Sequence, residues 1–210
     1  IADRIALEVP DARRAEVPWL ERLAVGPLDD EAARALLDAS VAPGVADRLV
    51  ATAAGNPLAL LEIPGLLTAG QRAGREPLAE PLPPGTGVER AFAAALEALP
   101  DRTRSALLVA AAAGTRRLDV LARATDLAVF APAEAARIVS LEGGELEFRH
   151  PLMRSTVYHA AGPVERRAAH AALAEAVDGP ERAWHLAACA VAPDEAVAAA
   201  LEAAALEARG

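Results

Sequence analysis

Ile138-Val139-Ser140-Leu141-Glu142-Gly143-Gly144-Glu145-Leu146-Glu147-Phe148-Arg149 is the stretch on which the fold turns. Two short runs alternate apolar and polar residues, so each reads as a half-buried strand. Between them, Gly143-Gly144 supplies two residues free to take positive φ, as the tight turn of a two-residue hairpin demands. Both flanks read differently. They are alanine- and leucine-rich blocks of helical length, separated by Gly and Pro. Several helices followed by one hairpin is the order of a winged helix-turn-helix, so the sequence predicts a mainly α fold with one β-hairpin.

Working outward, residues 88–99 place Val88, Phe92, Ala95, Leu96 and Leu99 on one helical face. Pro100 breaks that helix and Asp101 caps the next, 102–113, which Gly114 ends. Two shorter helices are predicted at 118–125 and 132–139. Nearer the N-terminus, Asp29 and Asp30 precede a helix expected to turn Ala32, Ala35 and Leu36 inward and Glu31, Arg34 and Asp38 outward. Residues 45–54 form a second helix with Gly55 as its C-terminal cap. Pro57 opens a third, 58–67, bent or broken at Pro64-Gly65.

Residues 70–87 hold Pro77, Pro81, Pro83 and Pro84 and show no apolar period, the pattern of a linker. After His150-Pro151, helices are predicted at 152–161, 164–177, 181–190 and 194–208, joined by short turns at Gly162-Pro163, Gly179-Pro180 and Ala192-Pro193. Such small-residue helices read as TPR-like hairpins that stack. The expected organisation is a helical subdomain at 27–69, a linker at 70–86, a winged helix at 87–160 and a helical repeat-like segment at 161–210.

Composition narrows the function. The 210 residues include 21 basic and 30 acidic ones, every basic residue is arginine, and 56 residues are alanine. One cysteine, Cys189, excludes an internal disulfide and a cysteine-based zinc cluster. No apolar run is long enough for a membrane span and no secretion leader is visible, so a cytoplasmic location is expected. Ile1 in place of a methionine is expected of a segment from a longer chain.

The chemical motifs are weak. Pro83-Pro84-Gly85-Thr86-Gly87 imitates the middle of a phosphate loop, but Leu82, Val88 and Glu89 stand where that loop needs glycine, lysine and a hydroxyl. The histidines, at 150, 159, 170 and 185, show no i, i+3 or i, i+4 pair among themselves, so no metal site is expected. Ser155 lacks the glycine elbow of a hydrolase nucleophile, and no catalytic residue is expected. The candidate recognition helix, 118–126, offers one arginine and two aspartates. Residues 87–160 balance nine basic against nine acidic groups, so no phosphate-attracting field arises and direct nucleic-acid binding by this segment is not expected.

Taken in order, several motifs resemble one family. They are Gly26-Pro27-Leu28-Asp29-Asp30, Gly55-Asn56-Pro57-Leu58-Ala59-Leu60-Leu61-Glu62, Pro81-Leu82-Pro83-Pro84-Gly85, Phe148-Arg149-His150-Pro151-Leu152-Met153-Arg154-Ser155, Glu165-Arg166-Arg167 with His170, and Arg182-Ala183-Trp184-His185-Leu186-Ala187. Together they resemble the middle of large ATP-binding LuxR-type transcriptional regulators, of the STAND class of signal-transducing ATPases. The resemblance implies that 27–69 is a helical lid, 87–160 the winged helix, 161–210 the start of a sensor region, and 1–26 the end of the ATPase core or a linker.

It further implies a non-catalytic regulatory segment that couples nucleotide state to domain closure. ATP or ADP would be the cofactor of the full-length parent, with none expected for the segment alone. Its partners would be the parent's own ATPase core and C-terminal DNA-binding domain, with self-association. By the same resemblance, Gly55, Asn56 and Pro57 match a Gly-x-Pro motif that packs against adenine. His150 stands where a histidine touches the β-phosphate, with Pro151 where an aspartate is usual. The alternatives are an α-helical protein-interaction scaffold and a free-standing winged-helix DNA-binding domain.

Overall fold

The computed structural model describes residues 26–207. In it, β1 (Val139–Glu142) pairs antiparallel with β2 (Glu145–Phe148), Val139 opposite Phe148 and Glu142 opposite Glu145. Gly143 and Gly144 take φ of 61° and 83°, values open to glycine without steric cost. The remaining elements among the described residues are twelve α-helices and a 3-10 turn, so the protein is mainly α with one hairpin. The expectations for 1–25 and for the end of the last helix at Ala208 lie outside the described residues.

Two compact units divide the described residues: 26–98 with 150–156, and 99–149 with 157–207. The first unit contains α1 (Asp30–Ala35), α2 (Pro43–Ala53), α3 (Pro57–Leu66), α4 (Ala69–Arg72), α5 (Thr86–Glu97) and the beginning of α9 (Pro151–Ala160). Packing of α2 against α1 and α3, and of α3 against α5, buries Leu49, Leu60, Ile63, Val88 and Phe92 almost completely. Each such side chain contributes about 1.5–3 kcal/mol of transfer free energy.

Three local features depart from the expected pattern. Helix α1 buries Ala33, not the Ala32/Ala35/Leu36 face; Leu36 remains 41% exposed. The helix stops after six residues, so the packing against α2 rather than an extended amphipathic stripe selects the inward side chain. The C-cap of α2 is Ala54, in the left-handed region at φ 46°, and Gly55 follows at φ 77°. Residues 70–86, though without period, include the end of α4, whose start is fixed by the Thr68–Gln71 capping box, and bury Leu82 within the first unit.

The second unit begins with α6 (Asp101–Ala112), followed by a single bridge from Arg117 to Glu145, α7 (Leu118–Ala124), the 3-10 turn Leu127–Phe130, α8 (Ala131–Ala135) and the hairpin. Helix, strand bridge, two helices and hairpin is the element order of a winged helix. Leu107, Leu121, Phe130 and Ile138 form its core. Helix α8 ends well before Val139 because Arg137 turns left-handed at φ 55° and the Ile138 N–H bonds the Ala133 carbonyl at 2.8 Å, which releases the chain into β1.

Helices α10 (Pro163–Ala176), α11 (Gly179–Cys189) and α12 (Glu195–Glu207) complete this unit. Helix α10 packs on α6, α7 and α11, and α11 packs on α12. The winged-helix elements and the helical hairpins therefore share one body.

Candidate functional site

The first unit holds all four residues singled out in the sequence: Gly55, Asn56, Pro57 and His150. Their local geometry follows from how α3 begins. Gly55 is buried, and a Cβ there would fall 2.5 Å from the Pro27 Cβ and 2.6 Å from the Leu28 carbonyl oxygen. The Leu28 N–H bonds the Gly55 carbonyl at 2.9 Å, so the Gly26-Pro27-Leu28 segment lies directly on this turn. Only glycine meets both the positive φ and the close approach.

Asn56 is the N-cap of α3. Its Oδ1 accepts from the Leu58 N–H at 2.9 Å and the Ala59 N–H at 3.2 Å. That double acceptance fixes which way the carboxamide points, because a flipped amide would set Nδ2 against two donors. Asn56 Nδ2 is buried and has no hydrogen-bond partner. Pro57 occupies the first turn of α3, where the missing N–H costs nothing, and is half-buried.

The glycine-rich Pro83-Pro84-Gly85-Thr86-Gly87 stretch is the N-terminal approach to α5, and α3 supplies its counter-ion. Glu62 Oε2 accepts from the Gly87 N–H at 2.9 Å. A Cβ on Gly85 would lie 2.4 Å from that same oxygen, and one on Gly87 would lie 2.8 Å from its Oε1. The carboxylate thus sits at the positive end of α5, the position an anion would need.

His150 precedes α9. Its Nδ1 accepts from the Leu152 N–H at 3.1 Å, so the ring proton of the neutral imidazole resides on Nε2. Burial lowers its pKa from the ordinary histidine value, which keeps the ring uncharged at neutral pH. The ring is tilted against Phe92 of α5, 6.5 Å between centroids. Because α3 also packs on α5, this helix links the Asn56–Pro57 turn to His150. Nearby on α9, Arg154 donates to Glu80 at 2.8 Å, and the other oxygen of Glu80 is bound by Arg48.

A second polar cluster, in the second unit, escaped the sequence reading. Tyr158 hydroxyl lies 2.9 Å from His170 Nε2, and His170 Nδ1 lies 2.9 Å from His185 Nδ1. Both imidazoles are buried. Burial pulls the His170 pKa down to about 4, with His185 and Arg166 adding to the effect, and burial also lowers His185. Cys189, one turn beyond His185 on α11, donates its thiol to the Arg167 carbonyl and has its pKa raised by burial. The motif spacing gave no signal for this cluster, since its members lie on three helices and 12 and 15 residues apart.

Around the wing, Arg117 forms two hydrogen bonds to the Asp119 carboxylate, at 3.0 and 2.6 Å, and Arg116 binds Glu147 at 2.7 Å. The Asp119 carboxylate raises the Arg117 pKa, and the guanidinium lowers that of Asp119. Ser155 is buried within α9. Among the described residues, no group of three or more His, Cys, Asp or Glu side chains converges as a metal site, and no helix is long and apolar enough to cross a membrane.

No family model matches the sequence, and neither a curated protein nor a solved structure is significantly similar to it.

Proposed function

We propose that the chain is the lid, winged-helix and sensor-start segment of a larger nucleotide-switched transcriptional regulator of the LuxR-type STAND class, and that it performs no catalysis itself. The observation that carries this reading is the membership of Asn56, Pro57 and His150 in one compact unit, with the half-buried Pro57 ring at one end and the His150 Nε2–H as a donor at the other. Pro57 offers an apolar ring face to a base. His150, with its proton on Nε2, offers a neutral N–H to a phosphate oxygen. The residues present fit a nucleoside diphosphate held chiefly by a partner domain, because this unit's own glycine-rich helix N-terminus is already occupied by Glu62.

The segment's work is to fold onto the nucleotide-bearing core and release it on exchange. A nucleotide biases that equilibrium only through contacts that differ between the two states, and His150 and Pro57 are such contacts. The arginine–carboxylate pairs at the wing favour a structural winged helix over a DNA-binding one. In the full-length regulator, His150→Ala should raise basal transcription and reduce the ADP that copurifies. Unchanged values for both would overturn the proposal.

A scaffold reading has one observation in its favour: Trp184 is 68% exposed and Val191 and Leu206 are also exposed, all on or beside α11 and α12. Absence of bound nucleotide from the full-length protein would select it.

A further inference from the structure

We infer that Tyr158, His170 and His185 form a proton relay, in which one proton taken up at the Tyr158 oxygen appears as a positive charge on His185 and reverses every hydrogen bond between them. The three side chains come from α9, α10 and α11, and both imidazoles are buried. The His170 and His185 centroids stand 5.2 Å apart, close to the greatest separation that a 2.9 Å contact between their Nδ1 atoms permits, so the two nitrogens meet head-on. Such a contact holds one proton.

Which nitrogen carries it follows from the far end of the chain. A phenol is a better donor than an imidazole N–H, and an imidazole nitrogen a better acceptor than a phenol oxygen, so the Tyr158 hydroxyl donates to His170 Nε2. Neutral His170 then keeps its proton on Nδ1 and donates it to His185 Nδ1, which leaves the His185 proton on Nε2.

Neighbouring charges fix where an added proton rests. Burial disfavours charge on both rings; beyond that, Arg166 opposes it on His170 whereas Glu181 favours it on His185. Among the described residues no ionisable group of α6, α7 or α12 acts on either ring. His159 stands edge-on to the Tyr158 ring, and the Cys189 thiol is turned to the Arg167 carbonyl. A proton arriving from water at the half-buried Tyr158 oxygen therefore moves inward. Tyr158 passes its own proton to His170 Nε2, and His170 passes its Nδ1 proton to His185 Nδ1. His185 is then an imidazolium, His170 is neutral with its proton on Nε2, and the Tyr158 oxygen accepts where it had donated. No hydrogen bond in the chain is lost. The charge emerges beside Glu181, which also acts on Arg117 at the head of α7, so the relay carries acidity sensed at α9 to the base of the wing.

The test is histidine ring NMR on the protein as it stands. At neutral pH His170 should be the Nδ1–H tautomer and His185 the Nε2–H tautomer. On acidification His185 should charge first, and His170 should switch to Nε2–H at the same midpoint while remaining neutral. Glu181→Gln should move both changes together to lower pH. Tyr158→Phe should slow exchange of the His170 ring proton with water on the order of a hundredfold, since the entry group is gone; a hydroxyl with only a packing role would leave exchange equal or faster. A His170 tautomer that persists through the titration of His185, a first charge on His170, or undiminished exchange in a folded Tyr158→Phe variant would each overturn the relay. The tautomer titration of wild type decides the matter alone if that variant does not fold.

Discussion

His170 and His185 meet Nδ1 to Nδ1 at 2.9 Å in the interior of the second unit, with the Tyr158 hydroxyl on the far nitrogen of His170. Only one of the facing nitrogens can carry a proton in the hydrogen-bonded state, so the pair is satisfied with both rings neutral and opposed to double charging.

This arrangement makes stability fall with acid. The folded-state pKa of His170, about 4, lies below its unfolded value, so the unfolded chain binds more protons between them. The contribution is fully present above about pH 6.5 and is lost as pH falls towards 4. Chemical denaturation of the protein at pH 7 and pH 4.5 should show a loss on the order of 2 kcal/mol after allowance for solvent screening. The double substitution His170→Gln/His185→Gln should flatten that dependence. An equally steep acid limb in the double variant would place its origin elsewhere.

Gly55→Ala should be severely destabilising, by about 3 kcal/mol, because the new methyl meets both a left-handed backbone and the Pro27-Leu28 segment. The melting temperature should drop and protease cleavage near residue 27 should accelerate. A melt within a degree of wild type would show that the turn opens freely.

Ala54→Gly should act in the opposite direction. Ala54 caps α2 in the left-handed region and is exposed, so glycine relieves strain without removing a packed side chain. A gain of about 0.5–1 kcal/mol in unfolding free energy is expected; a loss would mean that the Ala54 methyl has a role its exposure does not suggest.

Glu62→Ala should cost about 1–2 kcal/mol by orphaning the Gly87 N–H and removing a carboxylate from the start of α5. Glu62→Gln keeps an acceptor but not the charge, and should cost about half as much. A Glu62→Gln variant as stable as wild type, measured in urea at low salt, would remove the charge–dipole part of this account.

Legibility from sequence divided along physical lines. The hairpin and most helix boundaries were readable because Gly and Pro act through their own backbone: Gly143-Gly144 and Pro163 mark ends that the structure places within a residue or two, whereas Asp101, expected to cap α6, lies inside it, with Pro100 as the N-cap and no side-chain cap. The inward face of α1 was not, because a six-residue helix presents too short a stripe for periodicity to choose between Ala33 and Leu36. Nor was the role of 70–86, where Leu82 is buried from aperiodic chain. At the candidate site, Gly55 and Pro57 announce themselves by type, whereas the stranded Asn56 donor becomes visible only once its oxygen is seen to be spoken for. The His170–His185 contact depends on how α10 and α11 pack, which no local pattern encodes.

The carboxylate that α3 lends to Gly87 bears on how glycine-rich loops are sorted. A loop can have the glycines and the following helix of an anion cradle yet be self-quenched, its positive pole answered by an acid from a neighbouring segment. Searching for such resident acids, here 25 residues upstream, would separate impostor loops from genuine ones before any binding assay is run.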